Sequence, residues 1–139
     1  MSNGLYYAYR NGVQGAHATR IVLSTDTIVA ALIDHSLATP DVTTHAFYSS
    51  IAAGQVGDLS DPFTGKSLGV LNVGVFDSDD LLLTAVSGNS VESLNILKDT
   101  GNPATSDMIS YFDNTSGLPL TPNGGDVLVT WSGSGIWQV

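Results

Sequence analysis

Short apolar runs, separated by clusters of Gly, Asp, Ser and Asn, recur from residue 66 to the end of the chain. Strands spaced roughly 8–12 residues apart, with turn residues between them, are typical of an antiparallel sandwich or barrel. The predicted strands are 67–76, 81–86, 92–98, 108–113, 126–131 and 136–139, with an earlier one at 27–34. This pattern predicts a mainly β protein, either an antiparallel β-sandwich or a barrel-like domain.

The earliest of these strands has a different character from the rest. Residues 27–34 read TIVAALID, which is a near-continuous apolar run. A strand with one solvated face would alternate apolar and polar residues, whereas an unbroken run indicates burial on both faces. We therefore expect this strand to lie in the middle of the fold, with other elements packed on either side of it.

One short helix is predicted at residues 43–53 (TTHAFYSSIAA). Asp41, or the first residue of the segment, can cap its start, and Phe47 and Ile51 are spaced four apart on one helical face. Gly54 follows the segment and can end the helix. We expect only two or three turns.

The chain of 139 residues is the right size for one domain. Residues 21–139 are predicted to form that single β-rich domain. Residues 1–20 contain three closely spaced tyrosines and several glycines, so we expect either an N-terminal arm that docks on a neighbouring subunit or a short helix. The loop at 54–65 is long and polar, and it is a candidate for contact with a partner.

Charge excludes several function classes. Thirteen acidic residues face four basic ones, a net charge of −9. Binding to nucleic acid requires Lys and Arg to neutralise phosphates, so we expect no nucleic-acid partner, and no anionic membrane surface for the same reason. The chain has no cysteine, which excludes disulfides and thiol chemistry. Its apolar runs are too short to span a bilayer.

One triplet suggests catalysis. Asp99-Thr100-Gly101 has the sequence of the catalytic triplet of aspartic proteases, whose chemistry needs two carboxylates sharing a proton. However, Lys98 precedes it and Pro103 follows, and the stretch Asp-Thr-Gly-Asn-Pro consists of residues that favour turns. We predict a turn between two strands at this position, and no catalytic residue.

Two further motifs bear on ligands. The acidic turn at 77–80 (DSDD) supplies oxygen ligands suited to Ca²⁺, but the glycine and glutamate of an EF-hand loop are replaced by Leu82 and Gly88. Its simpler interpretation is a solvated turn. Trp131 and Trp137 are expected to pack in the core or at an interface rather than to form a sugar platform. We therefore predict no cofactor and no resident metal.

Several segments resemble small virion structural proteins of tailed bacteriophages. The specific ones are LKDTGNPATSDMISYFD (97–113) and GLPLTPNGGDVLVTW (117–131), preceded by DTIVAALID (26–34) and HAFYSSI (45–51). The resemblance runs from about residue 24 to the end, over four-fifths of the chain. Residues 1–20 differ from the Lys-containing amphipathic helix with which such proteins usually begin.

The resemblance implies a non-enzymatic virion protein, and a capsid decoration (cement) protein is the expected function. Its partner would be the major capsid protein, bound from outside by a homotrimer at threefold or quasi-threefold positions after synthesis in the bacterial cytoplasm. An acidic protein suits the outer surface of the shell, because it repels the packaged genome. The alternative is a tail, baseplate or fibre component that contacts the host surface.

Contact residues for capsid or subunit are expected in three segments. These are the tyrosine-rich arm, the polar loop around residues 58–64, and the Pro-rich connection at 118–123. The candidates are Tyr6, Tyr7, Tyr9, Asp58, Asp61, Phe63, Leu118, Pro119, Pro122 and Asn123.

Overall fold

The computed structural model describes residues 3–7, 9–10, 21–68 and 75–138. Within them lie nine strands: β1 (Gly4–Leu5), β2 (Ile28–Ile33), β3 (Gln55–Val56), β4 (Val75–Phe76), β5 (Leu81–Leu83), β6 (Ser93–Lys98), β7 (Met108–Phe112), β8 (Val127–Val129) and β9 (Trp137–Gln138). All described pairings are antiparallel, so the predicted mainly β, antiparallel class is confirmed.

A five-stranded sheet, in the order β1-β7-β6-β2-β3, forms the centre of the molecule. All six residues of β2 are buried, as are the first five of β6, so the strand predicted from the apolar run TIVAALID does lie buried on both faces. The sheet is not closed, which removes the barrel alternative. A layered, sandwich-like arrangement remains.

One face of the central sheet is covered by two small sheets, β4-β9 and β5-β8. The core on this side joins Ile28, Ala30 and Ile96 of the central sheet to Phe76 and Leu83 of the small ones. Apolar side chains from both layers thus bury each other, which is the main source of stability in a sandwich.

The opposite face is covered by irregular chain and tyrosines. Tyr6, Tyr48 and Ile51 pack there against Leu97 and Met108 of the sheet. A β-bulge between β6 and β7 shifts the register at Leu97. Bulges of this kind re-aim side chains, and here Met108 and the tyrosine three residues later both join the same cluster.

The helix predicted at 43–53 is wrong. The segment instead forms two short 3-10 helices, Tyr48–Ser50 and Ala52–Gly54. Other backbone groups of the segment bond to β7 and the loop before it instead of forming α-helical bonds: Tyr48 N–H donates to Ser106 O, and Met108 N–H donates to Ala46 O. Tertiary hydrogen bonds have replaced the helical ones here.

The N-terminal segment, where described, packs against its own domain. β1 pairs with β7, and Tyr6 N–H donates to Ile109 O at 2.9 Å. The Tyr6 side chain is fully buried. Tyr7, Tyr9 and Arg10 have helical backbone, while residues 11–20 of the predicted arm or helix lie outside the described residues.

The other strand predictions were correct in position but too long at their ends. The strands predicted at 81–86, 108–113 and 126–131 are trimmed to β5, β7 and β8. Only β4 is seen at the end of the segment 67–76, of which residues 69–74 lie outside the described residues. Strands β1 and β3, of two residues each, were not predicted.

Candidate functional site

Asp99 lies in the connection between β6 and β7, as predicted. Its Oδ1 accepts a hydrogen bond from Gly101 N–H at 2.9 Å, and Gly101 has φ +83°, a left-handed conformation that glycine adopts without strain. Thr100 Oγ1 is bonded within the same turn, to Thr105 Oγ1 at 2.6 Å. The triplet therefore builds a local turn, with its carboxylate accepting from its own backbone.

The acidic turn at 77–80 holds neighbouring segments together. Asp79 Oδ2 accepts from Thr64 Oγ1 at 3.1 Å, and Asp80 Oδ1 accepts from Trp131 N–H at 3.1 Å. The Asp79 carbonyl accepts the indole N–H of the same tryptophan at 3.1 Å. Among the described residues there is no cluster of three or more metal-binding side chains, here or elsewhere.

A polar network crosses the buried face of β6. Tyr6 hydroxyl donates to Asn95 Oδ1 at 2.6 Å, Asn95 Nδ2 donates to Ser93 Oγ at 3.0 Å, and His35 Nε2 lies 2.8 Å from the same Oγ. Burial raises the pKa of Tyr6 well above its ordinary value. Although Ser93 and His35 have the contact of a nucleophile and a base, the serine is fully buried and offers no surface to a substrate. The network joins β6 to the loop after β2.

Three predicted contact residues lie in the core instead of on the surface. Tyr6, Tyr9 and Phe63 are 0%, 5% and 5% exposed. Tyr9 packs edge-on against Trp137, and Phe63 packs on Trp131. Their rings fill the interior of their own domain, so these three residues belong to the core and not to a contact surface.

The remaining candidates reach the surface in separate places. Exposed positions are Asp58, Asp61, Pro119 and Asn123, whereas Tyr7, Leu118 and Pro122 are half-buried. The predicted 118–123 segment is held in place by an isolated antiparallel β-bridge between Val91 and Leu120. The loop at 58–64 and the connection at 118–123 therefore keep accessible residues. In the tyrosine-rich segment, Tyr7 alone of the three candidates is partly accessible.

Sequence reasoning missed two leucines. Leu82 of β5 and Leu128 of β8 are direct cross-strand partners and are 46% and 64% exposed. Asp58, Asp61 and Leu82 line one shallow depression, so the predicted polar loop borders this apolar pair. We call these four residues the outer-ribbon patch. An apolar centre with a charged rim is the arrangement found in protein interfaces.

The signal for the outer-ribbon patch was present in the sequence. Both β5 and β8 are three consecutive apolar residues, LLL and VLV. Since successive side chains alternate between the faces of a strand, the middle residue of each must face away from the core when only one face is covered. The sequence does not show that the two-stranded ribbon of β5 and β8 is the outer layer of the molecule.

An apolar cavity of about 490 Å³ lies beside β8, next to the central sheet. Its floor is one cross-strand row, Leu32, Leu94 and Phe112. Its walls include Ser116, Leu118 and the consecutive residues 127–131. The volume is within the range of ligand-binding pockets. One predicted contact residue, Leu118, lies in its wall.

No protein-family model matches the chain, and no curated protein matches it significantly. Across the described ranges there is no helix long and apolar enough to cross a membrane.

Proposed function

We propose that this chain is a non-enzymatic structural protein of a tailed-bacteriophage virion. It acts as a capsid decoration (cement) protein, binds the outside of the major capsid protein shell and stabilises the head. It does so as a homotrimer at threefold or quasi-threefold positions, where contacts repeated around the axis raise the total avidity.

The outer-ribbon patch is the structural observation that carries the contact role. Leu82 and Leu128 place exposed apolar area on a ribbon held against the core, and Asp58 and Asp61 add negative charge at its border. Preorganised contact residues cost little ordering entropy on binding, which favours a protein that must attach in many copies. The resemblance of segments 97–113 and 117–131 to phage virion proteins supports the identity of the partner.

The placement of the aromatic residues favours the capsid over the tail alternative. A fibre protein that contacts a host surface is expected to expose an aromatic patch. Here Tyr6 and Tyr9 are buried, and Trp137 is half-buried and stacked on Phe76 with ring centroids 4.5 Å apart. These rings contribute to packing within the domain, as expected of a compact building unit.

Copy number in the purified virion tests the proposal. A protein that decorates the shell is present in hundreds of copies, because the shell repeats its binding position by symmetry. A fibre or baseplate component is present in a few to some dozens. Quantitative densitometry against the major capsid band distinguishes these cases, and a count in the low range would move the protein to the tail.

Binding to heads that lack the protein tests the contact surface. Leu82→Ser should weaken binding by up to about tenfold, because burial of a fully exposed leucine contributes roughly 1.5–3 kcal/mol and Leu82 is only 46% exposed before binding. Leu68→Ser is the matched control, because Leu68 is 50% exposed and lies outside the outer-ribbon patch. Equal affinities for the two variants would remove the patch from the interface.

A further inference from the structure

The apolar cavity runs along the edge of β8. It is bordered by five consecutive residues, 127–131. A cavity lying against one face of a strand would contact alternate side chains only, since successive residues point to opposite faces. Contact with consecutive residues indicates the strand edge, where backbone N–H and C=O groups point. In the described part of the chain, β8 pairs with β5 and with no other strand.

The cavity beside this edge of β8 is lined mainly by apolar side chains, with a few hydroxyl groups. The floor of Leu32, Leu94 and Phe112 is apolar, and hydroxyl side chains such as Ser116 and Thr130 lie among the wall residues. Among the described residues that line it, none is charged. An unpaired strand edge next to an apolar cavity is the arrangement that accepts an added strand, with main-chain bonds giving affinity and the pocket giving specificity.

We infer that β8 binds an extended segment of a partner protein by strand addition, with an apolar side chain of that segment filling the cavity. The identification of the partner as the capsid protein rests on the proposed function. The strand-binding site itself is a property of this chain, and it can be tested without the capsid.

Charge defines the partner segment further. Two carboxylates lie close to the β5-β8 pair: Asp80 Oδ1 accepts from Trp131 N–H, and Asp126, which precedes Val127, accepts from Ala85 N–H. The chain as a whole carries −9. A segment with Lys or Arg on either side of its apolar residues complements this surface, whereas an acidic segment is repelled.

Three synthetic peptides test the inference on the isolated protein. The first is acetyl-Lys-Val-Leu-Val-Lys-amide, the second has both lysines replaced by glutamate, and the third is the first with N-methyl groups on alternate backbone amides. Binding is followed by Trp131 fluorescence in a Trp137→Phe background, and by the amide NMR signals of β8. The lysine peptide should shift both readouts. The other two should bind at least about tenfold more weakly, through like-charge repulsion and loss of main-chain donors respectively.

A pair of surface variants tests the location. Ser116→Phe places a ring in the cavity wall, while Ser90→Phe makes the same change at an exposed serine outside the lining. The first should abolish binding of the lysine peptide and the second should preserve it. The peptide comparison needs neither variant, so it remains decisive if Ser116→Phe fails to fold.

Each contrary result overturns the inference in a distinct way. Equal binding of the N-methylated peptide would show a pocket for a side chain or small apolar molecule without strand addition. Self-association through β8, seen by sedimentation, would make a second copy the occupant. Absence of saturable binding by the lysine peptide would remove the site.

Binding to heads separates this inference from the proposed function. If the wild-type protein decorates heads and Ser116→Phe does so equally well, the capsid protein is not the partner that binds at β8, and the proposed function stands. If the lysine peptide binds as described but the protein does not decorate heads, the strand-binding site stands and the proposed function fails.

Discussion

The Asp99 carboxylate accepts a hydrogen bond from Gly101 N–H within its own turn. Substitutions at Asp99 can therefore test whether this residue has a structural role. Asparagine also has a side-chain oxygen that can accept from Gly101 N–H, so Asp99→Asn should change the free energy of unfolding by less than about 0.5 kcal/mol. Asp99→Ala loses the bond and should cost about 1 kcal/mol. Urea unfolding of the three proteins measures this. A peptidase activity that is present in the wild type and lost in Asp99→Asn would contradict the turn role.

Asp41 has a lowered pKa whose cause is visible in its hydrogen bonds. The hydroxyl and N–H of Thr43 both donate to its Oδ1, at 2.6 and 2.8 Å, and these bonds lower the pKa of Asp41 to about 2. Since the folded pKa is below the unfolded value of about 3.9, the carboxylate stabilises the fold above that pH. This contribution is lost as the pH falls through about 2.

The variant Thr43→Val tests this assignment. It removes the hydroxyl and keeps the N–H, so the pKa of Asp41 should rise toward its ordinary value. NMR titration of the carboxyl carbon measures the shift. Thr121→Val, at an exposed threonine far along the chain, serves as control and should leave the pKa of Asp41 unchanged. A pKa of Asp41 unaffected by Thr43→Val would assign the lowering to another group.

Tyr6 shows how a residue expected at the surface can be essential to the core. Its hydroxyl is the donor to the fully buried Asn95 Oδ1. Tyr6→Phe leaves that oxygen unpaired and should destabilise the protein by about 1–3 kcal/mol. Tyr7→Phe, one position along and half-buried, should cost less than about 0.5 kcal/mol. Thermal or urea unfolding compares them, and equal effects would mean that the Asn95 bond contributes little.

At the scale of elements, the close contact between the second 3-10 helix and β2 should not tolerate an added side chain. A Cβ added to Gly54 would lie 2.8 Å from Asp34 O and 3.0 Å from Ile33 Cγ2. Gly54→Ala should therefore destabilise the protein by about 1–3 kcal/mol through overpacking. At Gly133 the added methyl would meet nothing within 4 Å among the described residues, so Gly133→Ala is the matched control. Similar unfolding midpoints for both variants would contradict this contact.

The same elements show why some predictions failed and others did not. The run in β2 could be interpreted from sequence because a strand buried on both faces needs apolar residues throughout. Phe47 and Ile51 have helical spacing, but the helix was wrong because Tyr48 and Ser49 donate instead to Ser106 and Pro103. Those acceptors are over fifty positions away, and local periodicity carries no information about them. Tertiary bonds outweighed a weak local preference.

Some features of the candidate surfaces could be predicted from the sequence, and others could not. The turn at Asp99 and the exposure of Asp58 and Asp61 could be predicted, since turn chemistry and charge are local properties. The outer-ribbon patch and the cavity could not, because both depend on which strands come together. Leu82 and Leu128 become one surface only through the pairing of β5 with β8, forty-odd residues apart in sequence.

For the whole molecule, the surplus of negative charge should produce two opposite salt effects. In the free protein, like charges repel one another, and added salt screens them, so the thermal midpoint should rise by a few degrees. Binding to a cationic partner surface is weakened by the same screening. Calorimetry of the free protein and head-binding assays across a sodium chloride series measure the two slopes.

A charge-reduced variant provides the control for that prediction. Asp58→Asn together with Asp61→Asn removes two negative charges from the net −9 at exposed positions. The variant should be more stable than the wild type at low salt and equally stable at high salt, where the charges are screened. Because both residues border the outer-ribbon patch, its head binding should also depend less on salt. Stability that rises while the salt dependence of binding stays unchanged would place the partner contact on a different surface of the molecule.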